Sequence, residues 1–169
     1  MRTARILTIK NFTFDKVKFY TIEIDNELSE FADFVIRMKQ SKLNTHELGE
    51  LIAFVKEIGM KYGAKKSLFR HEAAAEALAV PTVSHIDIDS DEEVHFGLRL
   101  YCIRLTDSIV ILLNGDRKTT HKAQDCPNCK YHFQLANKVS LKITQAIIDK
   151  DIILESKSIF FDEDFELNF

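Results

Sequence analysis

The chain of 169 residues has no tryptophan, two prolines, five glycines and three cysteines. With so little proline and glycine, collagen-like and low-complexity disordered character are excluded. An odd cysteine count argues against a disulfide framework and fits a reducing compartment, so a cytoplasmic location is expected. Apolar runs stay far short of the roughly 20 residues that cross a bilayer, and no membrane association is expected. The opening MRTARILTIKNF lacks an uninterrupted apolar segment and a small-residue cleavage site, so a secretory leader is not expected. What is present, 46% hydrophobic and 29% charged residues, is the composition of a soluble globular protein with enough mass to bury a core.

Charge is distributed unevenly. The formal net charge is −3, yet residues 98–142 carry eight Lys and Arg against three Asp, a local balance of +5. From residue 151 onward there are six acidic residues and one lysine. Residues 1–150 are therefore read as the main domain and 151–169 as an acidic C-terminal extension. Affinity for a polyanion grows with the number of phosphates neutralised, so the basic stretch is the place to look for contacts with nucleic acid. A second acidic patch, Asp87, Asp89, Asp91, Glu92 and Glu93, lacks the glycine turn and spaced ligands of a calcium loop and reads as a solvated segment.

The pattern of apolar positions predicts an α+β order. Residues 17–24 (VKFYTIEI) suit a strand. Asp25 or Asn26 is positioned to cap a helix over 27–39, with Leu28, Phe31, Phe34, Val35 and Met38 on one face. Asn44 or Thr45 is placed to cap a second helix through residue 62, striped by Leu48, Leu51, Ile52, Val55 and Ile58 and stopped by Gly63. The following HEAAAEAL has high helix propensity over a short length, and Pro81 ends it. Residues 96–105 and 108–113 read as antiparallel strands joined at Thr106 and Asp107, with Asn114 and Gly115 as the next turn. Leu135, Val139, Ile143 and Ile147 mark a helix over 133–148. Residues 152–169 suit an extra strand, a docking segment or a frayed tail. As a docking segment, their carboxylates and phenylalanines would lie against the basic surface of 99–122.

The run LRLYCIRLTDSIVILLNGDRKTTHKAQDCP resembles the core signature of the RelE/ParE toxin superfamily, in particular its HigB-like or phage Gp49-like members. Arg99 and Tyr101 fall on its strand positions, Gly115 on its glycine, Lys118 on its first lysine and Thr120 on its threonine, while Thr119 stands where a second lysine is common. The resemblance spans about residues 19–148. It implies a RelE-like α+β fold, a small antiparallel sheet with an N-terminal helical hairpin and a C-terminal helix. It also implies the toxin of a type II toxin–antitoxin pair, an endoribonuclease cleaving messenger RNA, usually on the ribosome, and silenced by a cognate antitoxin. The reaction is attack of a ribose 2′-hydroxyl on the adjacent phosphate, which needs proton transfer and cations around the phosphoryl oxygens. Arg99, Tyr101, Lys118 and His121 are the candidate catalytic residues; Lys65, Lys66, Arg70, Arg104, Arg117 and Lys122 are candidates for holding RNA. A non-catalytic module that binds nucleic acid or protein through the same basic face is the alternative.

Cys126-Pro-Asn-Cys129 lies between His121 and His132 in the pattern H-x4-C-x2-C-x2-H. Those four side chains are a zinc alternative, but all from one short loop would be unusual, since structural zinc commonly joins two separated ligand pairs. A redox pair and two ordinary thiols are the other readings. No metal or other cofactor is expected for 2′-hydroxyl chemistry.

Overall fold

The N-terminal segment ARILTI alternates apolar residues with arginine and threonine, a half-buried strand pattern, and begins the sheet. The computed structural model describes residues 1–80 and 97–169. The acidic patch at 87–93, Pro81 and the start of the strand expected from residue 96 lie outside the described residues.

Strands β1 (Thr3–Thr13) and β2 (Lys18–Ile24) form an antiparallel pair. In β1, Ala4 and Ile6 face one layer of core, whereas Ile9 and Phe12 pack on the other. The register shifts between Thr8 and Thr13, and Asn11 takes a positive φ of 67°, so the strand turns over at that irregularity. Next come helices α1 (Glu30–Met38) and α2 (Lys42–Glu57). Short strands β3 (Arg70–Glu72) and β4 (Ala75–Leu78) lead to the described part of β5 (Leu98–Thr106), β6 (Ile109–Arg117) and helix α3 (Lys130–Ile148). The chain ends in a hairpin of β7 (Ile153–Glu155) and β8 (Ser158–Phe160), then β9 (Leu167–Asn168).

Seven of these strands make one sheet in the order β3-β4-β5-β6-β2-β1-β9. The pair β2–β6 is parallel, Lys18–Tyr20 against Ile109–Ile111, and the other pairs are antiparallel. Both faces are covered. Val17, Phe19, Leu100, Val110 and Leu112 pack under the α1–α2 pair with Phe31, Phe34, Leu51 and Val55. Tyr20, Ile22, Tyr101, Ile103 and Ile111 pack under α3 with Phe133, Val139 and Ile143.

The expected small, all-antiparallel sheet opened by a helical hairpin is therefore corrected: the sheet is large and mixed, and the helices stand in the middle and near the end of the chain. Three segments account for the difference. Residues 3–13, a basic N-terminal stretch by composition, form the long strand β1. HEAAAEAL forms the β3–β4 hairpin, because Ala75 and Ala77 are small enough to lie beneath α3 and are fully buried there. The turn at Ala73 and Ala74 is locked from α3, where Asn137 Oδ1 accepts the Ala74 amide and Ser140 donates to its carbonyl. Residues 167–168 extend the sheet beyond β1.

Element boundaries differ for equally specific reasons. Asp25 and Asn26 both take positive φ (53° and 61°) and form a turn, and Ser29 caps α1 by accepting the Ala32 amide. Ser41 caps α2, which frees Asn44 to accept from Arg117 Nε at 2.8 Å. A π turn at Ile58–Tyr62 ends at Gly63, whose φ of 76° supplies the stop read from sequence. Asn114 and Gly115 are not a turn; they continue β6. A Cβ on Gly115 would stand 1.8 Å from the Arg99 carbonyl oxygen, so this closely approached strand position excludes a side chain.

Candidate functional site

Tyr101 is the centre of the site. Cross-strand register places Arg70 opposite Ala77 and Ala77 opposite Tyr101, so these three share the face covered by α3, and Glu72 shares it through Ala75. Arg99 lies two residues before Tyr101, and Lys118 follows β6 with its amide bonded to the Gly97 carbonyl at 2.9 Å. The Lys118 amine lies in the field of Arg99, Glu72, Arg70 and Cys129, and the Tyr101 phenol in that of Cys129, Glu72 and Arg99. Two arginines from two strands, Arg70 and Arg99, thus gather with Glu72 around Lys118, and Arg99 and Glu72 also act on the neighbouring Tyr101.

The cluster is covered. Arg99 and Tyr101 are fully buried and Lys118 is 8% exposed. Burial lowers the Lys118 pKa, and neighbouring Arg99 lowers it further, so the neutral amine is more available than on a surface lysine. Burial raises the Tyr101 pKa strongly, which keeps the phenol protonated and a hydrogen-bond donor. Its ring stands edge-on to Phe133 at 6.2 Å between centroids. Arg99 Nη1 donates to the Leu98 carbonyl at 3.2 Å. The set provides a positive field for an anion, an amine suited to accept a proton and a phenol suited to donate one.

Of the remaining sequence candidates, two arginines serve other contacts. Arg104 lies toward the opposite end of β5, where it bonds the Ala64 carbonyl and Asp107 and secures the segment after α2. Arg117 belongs to the helical-pair face, bonding Asn44 and, at 2.6 Å, Glu47. Glu47 also accepts the Leu98 amide at 3.0 Å. Lys65, Lys66, His121 and Lys122 are exposed. His132, a member of the zinc alternative, faces Arg37 with its Nε2 at 3.5 Å from the guanidinium. Among the described residues no group of three or more His, Cys, Asp or Glu is arranged to hold a metal.

Sequence reasoning missed a second polar network, between α1 and the end of β6. Arg37 of α1 donates to Asp33 and Asp116, both at 2.9 Å, and also to Asn114 and the Gly115 carbonyl. Asn114 in turn donates to Glu30 at 3.0 Å and Asp33 at 2.8 Å. Burial raises the Glu30 pKa; against its own burial, Asp33 is held low by the Asn114 and Arg37 hydrogen bonds. This network ties α1 to β6 and accounts for most of its own polar groups. Nothing in the spacing of Arg37 announces it. The neighbouring Arg117–Glu47 pair did leave a signal, since Glu47 stands beside Leu48 and Leu51 on the buried side of α2, where an acid must find a partner.

Comparison with family models, with curated proteins and with solved structures finds no match to this chain. Among the described residues no helix is long and apolar enough to cross a membrane.

Proposed function

We propose that this chain is an RNA-cleaving toxin that acts by 2′-hydroxyl attack on the adjacent phosphate, in the manner implied by its resemblance to RelE/ParE proteins. The observation that supports this reading is the gathering of Arg70 and Arg99 around Lys118, with Tyr101 beside Arg99. Lys118 is assigned proton abstraction from the 2′-hydroxyl, since its pKa is depressed by burial and Arg99. Arg70 and Arg99 stabilise charge on the phosphoryl oxygens through their field at Lys118, and Tyr101, fully buried beside Arg99, holds the floor of the site and is assigned no direct contact with the phosphate. His121, the proton-transfer candidate by residue type, is exposed in the loop after Lys118 and is assigned no step. Because Arg99 is covered, a phosphate reaches Lys118 first and feels Arg99 from behind. The expected partners are messenger RNA in the cytoplasm and a silencing antitoxin protein.

The test is induced expression in bacteria together with cleavage of a labelled single-stranded RNA. Wild type should arrest growth and cut the RNA without added metal. Lys118→Ala should reduce cleavage about 10²-fold or more. Lys118→Arg should preserve RNA binding while losing cleavage, because a guanidinium cannot act as base near neutrality. Normal growth and intact RNA with the wild-type chain would shift the reading to a binding module on the same cations.

A further inference from the structure

Cys126 and Cys129 are assigned no step in the reaction proposed above, although Cys129 borders Tyr101 and Lys118. They bracket exposed Pro127 and Asn128 at the start of α3, and Cys129 immediately precedes its first turn. The Cys126 carbonyl accepts the Lys130 amide at 2.9 Å, so a single closed turn carries both residues. Their sulfurs face consecutive carbonyls at the end of β6. Cys126 Sγ lies 3.8 Å from the Arg117 oxygen and Cys129 Sγ 3.7 Å from the Asp116 oxygen. The two thiols also meet each other, and the Cys129 amide is directed at the Cys126 sulfur. Thr119 adds its amide at 3.4 Å and its hydroxyl at 3.6 Å to that same sulfur.

We propose that Cys126 and Cys129 form a dithiol that hydroperoxides convert reversibly to a disulfide, with Cys126 as the attacking and Cys129 as the resolving residue. In the first step the Cys126 thiolate attacks one peroxide oxygen. An S–O bond forms, the O–O bond breaks, and the departing hydroxide takes a proton to leave as water. In the second step Cys129 gives up its proton and its sulfur attacks the sulfenic sulfur. The S–S bond forms, the S–O bond breaks and a second water leaves. Two electrons pass from the two thiols to hydrogen peroxide.

The surroundings divide these roles. Burial opposes ionisation of Cys126, but the Thr119 hydroxyl and amide and the Cys129 amide outweigh it and bring the thiol down to about 7. Cys129 is pushed up to about 12 by burial first and then by Cys126, so it stays a thiol until its neighbour has been oxidised. Both residues are fully covered, yet Asp125, Pro127 and Asn128 around them are exposed, which suits a small oxidant rather than a bulky disulfide. Cys102, buried on the helical-pair face with its thiol pushed well up by burial, is the internal control.

The experiment exposes the reduced chain to a modest excess of hydrogen peroxide, quenches it, alkylates the unfolded protein with a maleimide and weighs it intact. Of the three free cysteines, the wild type should retain one reactive thiol, that of Cys102, and dithiothreitol should restore all of them. Cys129→Ser should trap a sulfenic acid at Cys126, read as a dimedone adduct. Thr119→Val, which leaves both cysteines in place, should slow oxidation several-fold. Full alkylation of the wild type after peroxide, or a dimedone adduct on Cys102 in place of Cys126, would overturn the proposal.

Discussion

His132 shows how one residue acquires a pH dependence from its neighbours. Burial lowers its pKa first and the Arg37 guanidinium lowers it further, against the opposite pull of Asp116 and Asp33, to about 4. An unfolded histidine titrates near pH 6.5. Between those values the unfolded chain binds the proton and the folded chain does not, so the contribution of His132 is full above about pH 6.5 and is lost as pH falls toward 4. Glu30 works the other way, since its raised pKa makes the folded form accept a proton sooner on acidification. Urea midpoints should therefore fall less steeply from pH 6.5 to 4 in His132→Gln than in wild type, a difference of about 1 to 2 kcal/mol over the window. Superimposable profiles would show that the imidazole is not held neutral. At Gly115 the argument is steric: Gly115→Ala drives a methyl into the Arg99 carbonyl and should cost about 3 kcal/mol in the same titration.

At the scale of elements, the β3–β4 hairpin is held where local preference points to a helix. Buried Ala75 and Ala77 alternate with half-buried Glu76, whose carboxylate accepts the Arg104 amide at 3.0 Å. The hydrogen bond from the Ala74 amide to Asn137 Oδ1 fixes the turn. Asn137→Ala should cost about 1 kcal/mol and accelerate hydrogen exchange at the Ala74 amide while leaving α3 amides protected. An unchanged exchange rate would mean that the hairpin is held by packing of its alanines alone. For α1, Ser29→Ala should cost about 1 kcal/mol by removing the acceptor for the Ala32 amide. A thermal melt distinguishes that loss from an unaltered helix whose start is set by the turn at Asp25 and Asn26.

For the whole molecule, the last strand, β9, lies away from the basic stretch that the C-terminal segment was expected to cover, while Ser156 and Lys157 reach only its turn at Asp107 and Ser108. β9 pairs with β1 at Thr3 and Ala4, so β6, β2 and β1 stand between it and β5. Ile152, Ile159 and Leu167 are buried in the α3-side core, and the Ile159 amide donates to the Tyr20 hydroxyl at 3.1 Å. Removing residues 158–169 should lower the melting temperature by several degrees and expose apolar surface to a dye such as ANS. A freestanding tail would leave the melt unchanged. RNA affinity should not rise on truncation, because the carboxylates removed do not face the Arg70, Arg99 and Lys118 cluster.

Local chemistry settled much of this protein in advance. The apolar stripes of α1, α2 and α3, the stop at Gly63 and the apolar, β-branched and aromatic runs of β2, β5 and β6 are local features of the chain, which the sequence displays directly. The nearness of Arg99, Tyr101 and Lys118 was legible because the first two share a strand and the third follows the next one. Tertiary structure decided what no local pattern contains. The parallel match of Lys18–Tyr20 with Ile109–Ile111 joins distant segments, and Ala75 and Ala77 become strand because α3 lies above them. Gly115 looks like a turn residue but is required by the approach of the Arg99 carbonyl. Burial of Arg99 likewise depends on what packs over it, and a side chain's exposure is a property of its neighbours in space rather than in sequence.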